Sequence, residues 1–288
     1  LLAALLLVSP SQTLAKSVEL SVAMHIPPKA APYPNAFLPW TKEIEKQTEG
    51  RVKFKFYLSQ TLVKARDAYN GVKTGIADMS WVVLSLTQGK FPLSSVLELP
   101  YMSPDTFTGA HVFNDLYKKF PEMRAEFKDV HVLFLWVSLP YEIHTNEPVR
   151  NPQDVKGMKL ATAPGARAAL EGLGAVPVTM ANPKIYQTVE KGVADGSALA
   201  WGAFKAFKIY EVTKYHINPH LAGMAYATIM NKNRWNSLSK QDQDIITGIT
   251  NEMMPDTLCG AVTGEMNEGI RISKEQGHEI IDLSPESI

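Results

Sequence analysis

The residues in this chain best suited to chemistry are scattered, and their spacing excludes more than it supports. His216 and His220 stand four apart, the interval at which two imidazoles on one helix face can share a metal. Pro219 between them disfavours that helix, so both are expected in loops and no metal site is assigned. Cys259 is the one cysteine, which rules out an internal disulfide and a cysteine metal cluster. Its neighbours Leu258 and Ala261 make it a small apolar filler in a helix. Gly172-Leu173-Gly174 has two glycines of a dinucleotide loop, but they end a helical pattern and Pro177 stands where the third belongs. The nucleophile elbow, the phosphate loop and the His-Glu-x-x-His pattern do not occur, and the carboxylates define no acid and base pair. An enzyme has no positive evidence in these residues, and no cofactor is expected.

Lys plus Arg and Asp plus Glu number 29 each, which gives no basic field for a polyphosphate backbone and argues against nucleic acid as a partner. A length of 288 residues is large for one core, so two lobes are expected. Residues 1–15, an apolar run closing on Thr13-Leu14-Ala15, match a secretory signal clipped at its front, with a mature start near Lys16 or Ser17.

Past that leader, strand and helix patterns alternate. Val18 to Met24 and Val52 to Leu58 read as strands, Phe37 to Gln47 and Leu62 to Lys73 as helices, and Met79 to Leu84 as a third strand. Val130 to Val137 is a continuous apolar strand ended by Pro140, and Tyr141 to Thr145 resumes as an extended segment crossing to a second lobe. There a second set follows: strands at Lys159 to Thr162, Val176 to Thr179 and near Gly196, with helices from Arg167, Pro183 and Phe204. Ala225 to Asn231 is a returning strand, and Ser239 caps a long helix reaching about Gly277 through Pro255. This order predicts an α/β fold of mostly parallel sheets. The boundaries expected are 16–139 plus about 225–265 for the first lobe and 140–224 plus about 266–288 for the second.

Several segments together carry a family likeness: Asp154-Val155-Lys156-Gly157-Met158-Lys159-Leu160, Pro164-Gly165, Leu173-Gly174-Ala175-Val176-Pro177-Val178, Ile185-Tyr186 and Gly192-Val193-Ala194-Asp195-Gly196. Gly50-Arg51-Val52, Gly75-Ile76-Ala77-Asp78, Phe91-Pro92 and Leu99-Pro100-Tyr101 extend it over nearly the whole mature chain. In this order they resemble the solute receptors of tripartite ATP-independent periplasmic (TRAP) transporters. The resemblance implies a two-lobed periplasmic-binding-protein-like fold with a ligand cleft between lobes, a long connecting helix, and a periplasmic monomer. Its partners would be a small-molecule solute and inner-membrane TRAP transporter subunits. It also implies a further C-terminal helix beyond Ile288.

In that family the strand after the Lys-Gly-x-Lys segment carries an arginine that holds the ligand carboxylate; here the position is Ala161, and Arg167 opens the following helix. A simple dicarboxylate ligand is therefore not expected. The same alignment puts pocket positions at His25, Trp81, Val83, Tyr141, Glu142, Leu199, Trp201 and Phe204. Aromatic residues dominate, which suits a flat aromatic or heteroaromatic solute. The alternatives are an amine held in an aromatic cage with Glu142 as countercharge, a periplasmic sensor input domain, or an enzyme on a similar fold.

Overall fold

The computed structural model describes residues 17–100, 102–180 and 182–283; the expected leader at 1–15 lies outside the described residues. Strand β1 (Val18–Ala23) is followed by α1 (Leu38–Gln47), which buries Trp40 and Ile44. Strand β2 (Val52–Tyr57) leads to α2 (Ala68–Thr74), closed by Gly75 at φ 81°, a left-handed cap that side chains with a Cβ resist. Then come β3 (Met79–Val83), α3 (Thr106–Lys119, capped by the Asp105 carboxylate), α4 (Pro121–Glu126) and β4 (Val130–Val137).

The second stretch holds β5 (Glu142–Thr145), β6 (Lys159–Thr162), α5 (Arg167–Gly172), β7 (Val176–Thr179), α6 (Ile185–Glu190), β8 (Gly196–Leu199), α7 (Trp201–Phe204) and β9 (Tyr215–Ile217). Strand β10 (Ala225–Asn231), α8 (Lys232–Asn236), α9 (Lys240–Glu275) and β11 (Glu279–Ile281) complete the chain. The described residues form two sheets, ordered β2-β1-β3-β10-β4 and β11-β9-β5-β8-β6-β7. In the first, β1 pairs in parallel with β2 and β3, and β10 inserts antiparallel between β3 and β4.

Two segments cross between the sheets, and they are bonded to each other. Ser138 N–H donates to Met224 O and Tyr141 N–H to Ala222 O, both at 2.8 Å, while Leu221 N–H donates to Tyr141 O at 3.1 Å. Helix α9 ties both lobes. Ile246, Ile249, Met254 and Leu258 enter the first core, whereas a Cβ at Gly269 would lie 3.2 Å from the Trp201 ring and 3.4 Å from Phe204 in the second. At its start, Ser239 caps the Asp242 N–H, and Arg51 meets the Asp242 carboxylate at 2.9 Å, fixing the helix to the root of β2. The helix runs through Pro255, and Cys259 is buried on it, where burial pushes the thiol up to about 11.

Two expectations change. The helix read from Phe204 to Val212 does not form: α7 ends at Phe204, and Lys208, left-handed at φ 57°, separates it from a 3-10 turn at Ile209–Glu211. His216 is no loop residue; it lies buried in β9, paired with β5 on one side and β11 on the other.

Candidate functional site

Strand alternation puts Trp81 on β3, Tyr226 on β10 and Trp136 on β4 on the same face of the first sheet, with His25 just past the end of β1. The four rings stack. Trp81 lies 4.9 Å from Tyr226 and 5.6 Å from Trp136, and His25 covers Trp81 at 5.1 Å with an interplanar angle of 19°. His25 is half-buried and closes the stack. Burial lowers the His25 imidazole to about 4, opposed by a hydrogen bond to the Trp81 backbone, so the ring is neutral at neutral pH.

Beneath it Trp81 is only 4% exposed, and its indole N–H has no partner in the protein. The Trp136 indole N–H and the hydroxyl of Thr228, which sits opposite Trp81 in the β3–β10 register, are unpartnered as well. Buried donors left open are costly, about 1–3 kcal/mol each, and a cluster of them marks a place built to receive polar atoms.

Where the lobes meet, the Tyr141 hydroxyl donates to Met224 Sδ at 3.1 Å, and Met224 packs on both cores. A Cβ at Gly165 would reach Met224 Cγ at 3.4 Å, so the second lobe approaches closely there. Glu98 Oε1 accepts from Ala225 N–H at 2.9 Å at the same seam. A groove of about 1030 Å³ runs over α9 between Pro27–Asn35 of the first lobe and Lys205 and Ala206 of the second. Two of its acids are engaged: Glu265 takes the Ala31 N–H at 2.8 Å, and Glu268 binds Lys205 at 3.2 Å and Arg271 at 2.8 Å.

The expected site residues thus divide. His25 and Trp81 come together with Tyr226 and Trp136, which the sequence reading did not single out. Tyr141 is buried in the second core cluster, and Val83 lies on the same sheet face as Trp81. Leu199, Trp201 and Phe204 are buried in the second core cluster, as Trp81 is in the first, and the Trp201 indole N–H donates to Asn218 Oδ1 at 3.1 Å. Glu142 has partners within the protein. It is 3% exposed, with Oε1 on His220 Nδ1 at 2.8 Å and Oε2 on the His220 N–H at 3.1 Å, so it is no open countercharge for an amine. Burial raises the Glu142 carboxyl against the pull of His220, and hydrogen bonding to Glu142 raises the His220 imidazole.

Ala161 is fully buried in the second core, in a cross-sheet row with Val178, Ser197, His144 and His216; Ser197 Oγ beside it is unpartnered. In that row His144 Nε2 donates to Leu199 O at 3.0 Å, His144 Nδ1 meets His216 Nδ1 at 3.2 Å, and His216 Nε2 meets His278 Nδ1 at 3.1 Å. Among the described residues no group of His, Cys, Asp or Glu is placed to hold a metal ion, and no helix is long and apolar enough to cross a membrane.

Two α/β lobes joined by paired crossing segments and one shared helix give the architecture of a two-lobed solute-binding protein. The comparisons agree. The chain is 27% identical over 215 residues to the 2,3-diketo-L-gulonate-binding periplasmic protein YiaO of Escherichia coli, a match covering 73% of this chain and 65% of that protein. It also superposes, with a TM-score of 0.85 at 31% identity, on a TRAP periplasmic solute binding protein from Desulfovibrio salexigens, covering 94% of this chain and 84% of the other. A marine metagenome TRAP solute binding protein specific for aromatic acid ligands, solved with 3-hydroxybenzoate, matches with a TM-score of 0.85 at 26% identity, over 94% and 87% of the two chains. The model of the bacterial extracellular solute-binding protein family 7 matches residues 23–288, and the chain belongs to that family.

Proposed function

We propose that this chain is a periplasmic receptor that captures a small aromatic or heteroaromatic solute between its lobes and delivers it to the membrane subunits of a TRAP transporter. The carrying observation is the Trp81 indole N–H, buried and unpartnered beneath the half-buried His25 ring. A flat solute slid against His25 and Tyr226 gains stacking on a preformed ring face, and a polar substituent on it meets donors that no protein group already occupies. A neutral His25 makes this face a poor place for two carboxylates. The aromatic-acid specificity of the marine metagenome protein supports the ring, and the sugar acid named for the Escherichia coli relative supports a single acidic group.

Lobe closure is a hinge at the bonded crossing segments 138–141 and 218–224, with α9 carrying the strain across. Thermal melting against benzoates, indole acids, dicarboxylates and small amines tests the reading. A ligand at a hundredfold excess over its Kd adds about 2.7 kcal/mol of stability, so aromatic acids should raise Tm while succinate and malate leave it unchanged. A shift confined to dicarboxylates or amines refutes the aromatic assignment.

A further inference from the structure

Helix α9 passes from one lobe to the other within two turns. Val262 is buried in the first core, Met266 packs on both cores, and Gly269 lies against Trp201 and Phe204 in the second. Glu265 stands at that passage, on the groove between the first-lobe loop Pro27–Asn35 and Lys205 and Ala206 of the second lobe. Its Oε1 accepts the Ala31 N–H at 2.8 Å, from the loop that follows β1 and His25. On its other side a Cβ at Gly202, in α7, would lie 3.6 Å from Oε2 and 3.8 Å from the Glu265 Cβ, so the second lobe lies close against the same side chain. Burial raises the Glu265 carboxyl, opposed by the Ala31 N–H and the Lys205 charge. Its neighbours along the groove floor make no such bridge: Gly260, Ala261 and Gly264 carry at most a methyl group, and Glu268 is held by Lys205 and Arg271. Among the described residues, Glu265 is the floor side chain that hydrogen-bonds first-lobe backbone while abutting the second lobe.

We propose that Glu265 is a latch on the lobe hinge: its bond to Ala31 fastens the first-lobe loop to the shared helix at the lobe boundary and sets the angle between the lobes. This rests on the reading of the chain as a receptor that closes on a solute, and not on the class of solute. Rotation about the crossing segments moves the loop relative to α7, so a lone side-chain bond between them is made in one arrangement and lost in another. A hydrogen bond to a charged acceptor weights two such arrangements by about tenfold or more. The test places nitroxide labels on the full chain by Lys53→Cys and Lys191→Cys, exposed positions in the first and second lobes; Cys259 is buried and takes no label. Double electron–electron resonance then reads the distance between the lobes. Without ligand, Glu265→Ala should change the ratio of interlobe-distance populations by about tenfold, or open a second population where the parent has one. Glu265→Gln, whose amide oxygen still accepts the Ala31 N–H, should stay within about threefold of the parent ratio. Unchanged distances in Glu265→Ala overturn the latch, and so does a Glu265→Gln that behaves as the alanine variant does, which would assign the effect to charge. If a bound solute leaves the parent distances unchanged, lobe closure itself fails and the latch with it. If no aromatic acid binds, the aromatic reading fails, and the ligand-free distances still decide for or against Glu265.

Discussion

Replacing Trp81 with Phe separates binding from folding. The substitution keeps a ring between His25 and Tyr226 but deletes the indole N–H, which has no partner in the protein, and part of a ring that is 4% exposed. Lost packing costs about 1–2 kcal/mol, a fraction of the roughly 3–5 kcal/mol of a full Trp to Ala truncation. Against this, removing a buried donor without a partner returns about 1–3 kcal/mol, so the ligand-free stability should fall by no more than about 1 kcal/mol. Binding has no such compensation. If the N–H donates to a ligand oxygen, its loss costs about 1.5–3 kcal/mol for a charged acceptor, or roughly 10- to 150-fold in Kd. Urea unfolding without ligand and titration with the best aromatic acid from the melting panel give the two numbers. Unchanged affinity with unchanged stability would show that the N–H faces no ligand and would remove Trp81 from the site.

Four other outcomes are expected. Trp201→Phe should lower stability by about 2–3 kcal/mol through lost packing and loss of the Asn218 hydrogen bond and leave Kd unchanged, so a tenfold loss of affinity would place Trp201 in the pocket. Gly196→Ala should be strongly destabilising or fail to fold, since a Cβ there would lie 2.3 Å from the His144 carbonyl oxygen across the β5–β8 pair; a native Tm refutes that close approach. Burial lowers His144 to about 4 and His216 to about 2, so the unfolded chain takes up protons first as pH falls below about 6.5. Their stabilisation is complete above that pH and is lost on descent toward the folded values, about 1.4 kcal/mol each by pH 5.5; replacing His216 with Asn should flatten the fall in urea midpoint over that window. Ala161→Arg should destabilise the second lobe rather than create dicarboxylate affinity, because position 161 is sealed in the core beside Ser197; a dicarboxylate-dependent rise in Tm would show that the side chain reaches the cleft.

Periodicity and punctuation in the chain were enough to place most elements. Val130–Val137, Lys159–Thr162, Val176–Thr179 and Ala225–Asn231 fall where alternation or unbroken apolar runs put them, and Gly75 and Ser239 close and open helices by their own backbone and side-chain chemistry. These signals are local, so a single strand or turn carries all the information needed. His25 and Trp81 were singled out by family likeness, but the rings that stack with them were not.

Only the tertiary structure decided what each ring does. The order β3-β10-β4 sets Tyr226 and Trp136 beside Trp81 from far along the chain, a pairing that no spacing within one strand encodes. Trp81 and Trp201 look alike in sequence and both are buried, yet one has an N–H without a protein partner and the other gives its N–H to Asn218. Glu142 and Glu98 differ in their partners: His220, turned left-handed at φ 49°, reaches back to occupy the first, while the second accepts the Ala225 N–H. Residue type set which groups were available; hydrogen-bond partners brought together across the fold determined which of them stayed open for a ligand.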